Sequence, residues 1–266
     1  MTDLVRVRAS SLPELFDCPA RWEAKHLRGM RLPTSGAAQL GTAVHAGTAL
    51  FDQSRIVDAG LTVDDCLGQV VDAIWKPEQD VDWGDSSQKE SEAIATALHR
   101  RYCSDISPRF NFADVEAECE SLDIPDLGIR LTGTTDRVYV DADGSFGIAD
   151  IKTGKAAVGT DGTVKTAGHA AQIAVYEILA EQATGKRIDA PASIVGLQVA
   201  KTEAGRRAAV GRIHDAKALL IGEGDQPGLL EIASGFIRSG TFFGNPRSSL
   251  CNSKYCPAHA TCRFRR

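Results

Sequence analysis

Several features that would assign a chain quickly are missing from this one. No run of apolar residues approaches the ~20 needed to cross a bilayer, so a membrane-spanning role is not expected. The opening Met1-Thr2-Asp3-Leu4-Val5-Arg6 carries no signal-peptide pattern. A cytoplasmic, reducing location is therefore expected, and the seven cysteines are not read as a disulfide framework. There is no Gly-x-x-x-x-Gly-Lys-Ser/Thr loop and no Gly-x-Gly-x-x-Gly fingerprint, so neither an ATP-driven nor an NAD-dependent activity is supported. No internal repeat and no low-complexity segment interrupts the chain.

What is present is ordinary in bulk and uneven in distribution. The 266 residues, 43% hydrophobic and 24% charged, suit one large α/β domain with a sizeable core. The net charge of −5 divides into +2 over residues 1–33, −12 over 34–230 and +5 over 231–266. Basic ends around an acidic centre fit a phosphate-binding surface beside a metal site, or an acidic body with a basic tail.

The periodicities predict a helix from Ser10 or Ser11 to about Leu27, with Pro13 in its first turn. Further helices are expected over 36–51, 63–75, 87–103, 170–182 and 227–238. Strands are expected over 115–122, 129–140 and 145–151, with Asp141-Ala142-Asp143-Gly144 as a tight hairpin turn. A second hairpin, over 193–201 and 206–213, follows the Gly-, Thr- and Lys-rich loop 154–168. This order does not alternate strictly, which argues against a TIM barrel or a doubly wound sheet.

The most informative segment is Asp150-Ile151-Lys152 at the end of an apolar strand. Side chains two apart on a strand share a face, so a carboxylate and an ammonium point into one volume. Alone, such a pair could be a surface ion pair of little value. The Asp141–Gly144 hairpin brings Asp136 onto the neighbouring strand, and two converging carboxylates repel unless a cation lies between them. Oxygen ligands favour Mg²⁺ or Mn²⁺. Taken singly, Asp136 reads as an ion pair or solvated acid, His45 as a packing residue, and Gln172 with Tyr176 as an i, i+4 pair on one helix face.

In order, Gly41-Thr42-Ala43-Val44-His45, Gly133-Thr134-Thr135-Asp136, Asp150-Ile151-Lys152-Thr153-Gly154 and Gln172-Ile173-Ala174-Val175-Tyr176 resemble the RecB-like branch of the PD-(D/E)XK nuclease superfamily. The resemblance covers nearly the whole chain and extends to the stand-alone CRISPR-associated and phage members. It implies a central mixed sheet flanked by helices, with residues 34–110 as a helical insertion and 111–215 as the catalytic core. It also implies metal ligation by His45, Asp136, Asp150 and the Ile151 carbonyl, with one or two cations. Lys152 would act on the attacking water or the phosphate, and Gln172 and Tyr176 would position DNA. Thr135 stands where the branch commonly has an aliphatic residue. Glu118 is a candidate outer acid, with a solvent-facing role as the plainer reading.

Cys251, Cys256 and Cys262 fall within twelve residues of an irregular stretch, a poor core and a good metal site. His259 is near, but Cys18, before Pro19, is the better fourth ligand. Four thiolates could hold a [4Fe–4S] cluster or zinc. The iron–sulfur subgroup of the same branch has one N-terminal and three C-terminal cysteines, and the resemblance favours the cluster. Its subdomain would comprise 1–33 and 231–266. The first gap, Cys-x4-Cys, departs from the Cys-x2-Cys common there, which leaves the register of Cys251 open. Cys66, Cys103 and Cys119 read as buried small hydrophobes. The activity implied is that of a metal-dependent deoxyribonuclease, an exonuclease on DNA ends or single strands in recombination, replication or repair. The competing readings are an inactive DNA-binding module and a zinc-stabilised structural protein.

Overall fold

A computed structural model of the chain describes residues 4–84 and 86–265. Its strands are β1 (Val5–Arg8), β2 (Thr34–Ser35), β3 (Val81–Asp82), β4 (Asn111–Ile124), β5 (Ile129–Val140), β6 (Phe146–Gly154), β7 (Ala192–Gln198), β8 (Ala208–Ile213), β9 (Gly222–Glu223) and β10 (Gln226–Pro227). The helices are α1 (Leu12–Asp17), α2 (Pro19–His26), α3 (Gly36–Ile56), α4 (Leu67–Trp75), α5 (Gln88–Arg101), α6 (Ala170–Thr184), α7 (Ala216–Ile221) and α8 (Leu229–Ser239). Six strands form one mixed sheet in the order β1-β5-β6-β7-β8, with β4 also paired to β5. Helices cover both faces, so the fold is α/β with a central mixed sheet.

Two apolar layers hold the helices to the sheet. On one face, Leu12, Leu15 and Trp22 pack with Ile173 and Leu179 of α6 and Leu230 of α8 against Val7, Ile129, Leu131, Ile148 and Ile194. On the other, Leu40 and Val44 of α3, Ile74 of α4 and Leu98 of α5 pack against Tyr139, Ile151, Val195 and Leu197. Residues 34–110 thus supply one wall of the core. A buried ion pair ties that wall to the sheet: Arg137 and Asp52, both 0% exposed, meet at 2.7 Å. Tyr102 and Ser107 donate to the same Asp52 carboxylate. Removing one partner of such a pair strands the other charge in low dielectric.

The pairing around β5 positions everything that follows. One edge of β5 carries β4 along nearly its whole length. The other edge is shared: β1 pairs in parallel with Ile129–Thr132, and β6 pairs antiparallel with Arg137–Val140. Between them, residues 133–136 have no strand on that side. The ladder from β5 to β6 ends at Arg137 opposite Ala149, so Asp136 and Asp150 are the first residues past the fork.

The expected hairpin turn forms as read, with Gly144 at φ +87°. Strand β6 runs to Gly154 rather than Ile151, so Lys152 stays in sheet geometry beside Gly196 of β7. The single helix expected over 10–27 is broken. Proline disfavours helical backbone in the residue before it, and Cys18 is extended at φ −151°, ψ 93° between α1 and α2. Strand β1, which the periodicity did not suggest, closes the sheet.

Candidate metal centre

Four sequence segments converge at the fork, and two glycines, Gly41 and Gly133, mark where they touch. A Cβ on Gly41 of α3 would lie 2.9 Å from the Thr153 hydroxyl of β6. A Cβ on Gly133 of β5 would lie 2.9 Å from the Tyr176 ring of α6. Only a residue without a side chain permits either approach. Gly41 thereby seats α3 so that His45, one turn on, reaches the strands.

His45 Nε2 lies 3.0 Å from the Ile151 carbonyl oxygen. A carbonyl only accepts, so Nε2 is the donor, and Nδ1 is the ring nitrogen left to face the acids. That Nδ1 faces Asp136 Oδ1 at 3.6 Å. A proton on the ring or a cation beside it would each suit this contact, and the nearby Glu116 carboxylate makes the second a three-ligand site. The other oxygen of Asp136 accepts from the Ile151 N–H at 2.7 Å, which satisfies a backbone donor freed by the opening of the ladder.

Asp150 is 1% exposed, and Lys152 is its one close partner among the described residues. Lys152 Nζ approaches Oδ2 to 2.7 Å as an ion pair. Burial first, and the Asp136 charge second, push the Asp150 carboxyl up to about 6 against the pull of Lys152 and His45. A buried carboxylate left short of donors is costly, and a divalent cation would remove the cost. On α6, Gln172 Nε2 donates to Tyr176 Oη at 2.9 Å. Burial raises the Tyr176 hydroxyl well above its usual value, and the charges of Asp150, Asp136 and Glu116 add to the shift. The phenol therefore stays protonated beside the acids, with its own O–H free to donate.

One site residue has no counterpart in the sequence reading. Glu116 of β4 places a carboxylate within 4.8 Å of ligand atoms of both His45 and Asp136. Its neighbours Val115 and Ala117 pair with Arg137 and Thr135, so Glu116 stands across from Asp136. Like charges directly opposite are unfavourable. The residue is also left-handed at φ +50°, a conformation costly for a side chain of this kind. Burial and Asp136 raise its carboxyl, while Arg137, 3.2 Å away, and His45 lower it. Strain and repulsion gathered at one residue are what a bound cation would offset. The acids of β4 alternate through Glu116, Glu118 and Glu120, and nothing in that pattern singles out the first. Glu118 turns instead toward a groove beside Arg6 and Arg8.

The four predicted cysteines come from opposite ends of the chain to one pocket. Cys18, Cys251, Cys256 and Cys262 line it together with Arg21 and His259. The Asn245 N–H points at Cys18 Sγ at 3.4 Å, and Asn245 Nδ2 donates to the Asp17 carbonyl at 2.9 Å. Burial and the neighbouring Cys18 and Cys262 raise the Cys256 thiol, while the Ala258 N–H and Arg21 pull it down. Among the described residues, no three cysteine sulfurs lie within 4.8 Å of one another. Cys66 and Cys103 are buried and lie away from this pocket, whereas Cys119 is half-buried and lines the groove beside Arg6.

The sequence matches a family model described as the PD-(D/E)XK nuclease superfamily over residues 6–263. Among solved structures, one from Eubacterium rectale, described as a "putative exonuclease", aligns at a TM-score of 0.54 and 15% identity. That alignment covers 94% of this chain and 87% of the other. The crystal structure of SSO0001 aligns over 95% of this chain and 97% of that one, at 15% identity and a TM-score of 0.39. No curated protein matches the chain.

Proposed function

Because the chain belongs to the PD-(D/E)XK nuclease superfamily, we propose that it is a metal-dependent DNA nuclease of the RecB-like branch, acting as an exonuclease on ends or single strands. The observation that carries this reading is the fork itself. There His45, Asp136 and Glu116 bring ligand atoms within 4.8 Å of one another, and the almost fully buried Asp150, paired with Lys152, feels the charges of Asp136 and His45. The description of the Eubacterium rectale protein points the same way, although at that identity the likeness concerns fold alone.

Asp136, Asp150 and His45 Nδ1 would hold Mg²⁺ or Mn²⁺, with Glu116 as a further oxygen ligand. The Ile151 carbonyl accepts from His45 and retains a second lone pair for a cation. A divalent ion supplies a lowered pKa for water and charge neutralisation at the phosphate. Lys152, held by Asp150, sets an ammonium where negative charge accumulates during attack on phosphorus. Tyr176, oriented by Gln172, offers an O–H to the nucleic-acid backbone.

The cysteine pocket fits a metal cofactor, with Cys18, Cys251, Cys256 and Cys262 as its ligands. Four thiolates could hold either zinc or a [4Fe–4S] cluster, and the resemblance to the iron–sulfur subgroup of the branch favours the cluster. Its role would be structural, joining the two ends of the chain.

End-labelled linear and circular single-stranded DNA, incubated with Mn²⁺ or Mg²⁺, tests the reading. Degradation of linear DNA, sparing of circles, and loss of activity in folded Asp150→Ala and Lys152→Ala are expected. Activity that survives both substitutions would exclude this site, and cleavage of circles would replace exonuclease by endonuclease.

A further inference from the structure

The stretch of β5 left without a strand on one side does not end at the acids. It continues toward β1 as a groove of roughly 530 Å³ lined by Arg6, Arg8, Ser10, Glu118, Thr132 and Thr134, with Gly133 and Tyr176 at its inner end. From the geometry we infer that this groove is a backbone subsite that holds one strand of DNA and delivers it to the metal centre. The inference rests on the nuclease reading and adds to it the path and the form of the substrate.

Three observations support it. First, Arg6 and Arg8 are exposed while Val7 between them is buried, so both guanidinium groups lie on one side of β1, about 6.7 Å apart along the strand. Among the described residues neither has a carboxylate within 4.0 Å, unlike Arg130, the register partner of Arg6 on β5, which Asp123 holds at 2.5 Å. Arg6 is instead oriented by Thr132, whose hydroxyl accepts from Nε at 3.1 Å. That leaves the remaining N–H groups free for the planar, paired recognition of phosphate at which arginine excels.

Second, the groove adjoins the chemistry. Arg8 pairs in register with Thr132, the last residue before the unpaired stretch that leads to Asp136. Tyr176 belongs to the groove wall and feels the charges of Asp136, Asp150 and Glu116. A backbone lying along β1 would therefore pass directly from the arginines to the metal. Third, the volume falls within the range of about 300–1,000 Å³ typical of small-ligand sites. That is room for a short stretch of one strand's backbone.

Glu118 faces the same space. Opposite Thr134 in register, it sets one negative charge against the two arginines and would hold the phosphates to the β1 side. It also supplies a substitution of opposite sign, independent of any loss of packing at β1.

Binding of a fluorescein-labelled single-stranded oligonucleotide in Ca²⁺, and cleavage of the same DNA in Mn²⁺, test the assignment on the full chain. Arg6→Gln/Arg8→Gln is expected to raise KM about tenfold with kcat within twofold. The slope of log affinity against log salt should fall by about 1.4, from about 0.7 for each lost phosphate contact on a single strand. Glu118→Gln is expected to tighten binding a few-fold, and Arg187→Gln, at an exposed site elsewhere, to change nothing. Unchanged KM and salt slope in a cleaving double variant, or no tightening by Glu118→Gln, would overturn the groove while leaving the nuclease intact. Absence of any metal-dependent cleavage by the unaltered protein would overturn the nuclease reading instead.

Discussion

At the scale of single residues, the molecule spends stability where it does chemistry. Asp150 is a buried carboxylate whose carboxyl is pushed up to about 6 even with Lys152 beside it, whereas Glu14 is a part-buried carboxylate that its surroundings satisfy fully. Asp150→Asn is therefore expected to stabilise the metal-free protein at pH 8 by on the order of 1–3 kcal/mol while abolishing cleavage. Chemical denaturation beside the nuclease assay reads both effects. Glu14 behaves in the opposite way. Burial would raise its carboxyl, but hydrogen bonds from His26, Lys25 and Arg21 outweigh that and hold it at about 2. The folded state binds this proton less readily than the unfolded chain. Glu14 hence contributes stability above about pH 4.5, and the contribution is lost as pH falls toward 2. The melting temperature should drop across that window, and Glu14→Gln should flatten the drop.

At the scale of elements, the site is an agreement between segments, and Gly41 and Gly133 are two of its contact points. Gly133→Ala would drive a methyl group to 2.9 Å from the Tyr176 ring. The ring is buried and has little room to yield. A loss of about 1–3 kcal/mol is expected, together with a fall in kcat, since Tyr176 and its Gln172 partner must move relative to the acids. Thermal melts and steady-state kinetics of the same variant check this. Much of this level was readable in the sequence. The β5–β6 hairpin follows from its turn residues, and the α6 pair from i, i+4 spacing. What was not readable depended on distant partners. Strand β1 is four residues of alternating Val and Arg whose pairing lies more than 120 residues away. Glu116 is distinguished from Glu118 only by a backbone conformation. The buried Asp52–Arg137 pair spans 85 residues and leaves no local trace. The break at Cys18 was within reach, because Pro19 states it, but the early Pro13 drew the reading toward one continuous helix.

At the scale of the whole molecule, the two ends of the chain form one structure. The Ala20 N–H donates to the Phe243 carbonyl, Ser248 donates to Asp17, and Trp22 stacks on Phe242. With a cofactor across the four cysteines, Cys18→Ala should lower the melting temperature well beyond the effect of Cys66→Ala. Iron and sulfide analysis of anaerobically purified protein should fall in Cys18→Ala alone; stoichiometric zinc would assign the pocket to that metal.

The same joining of ends sets an order in time. Cys18 is synthesised before every residue of the metal centre, and Cys251, Cys256 and Cys262 after all of them. At about 5–20 residues per second, a clasp across the four cysteines would close on the order of 10–50 s after Cys18 is made. The residues of the metal centre and of the groove beside Arg6 all precede Cys251 in the chain. Such a clasp would therefore fasten a site whose parts are already present, as the last brace and not as the first scaffold.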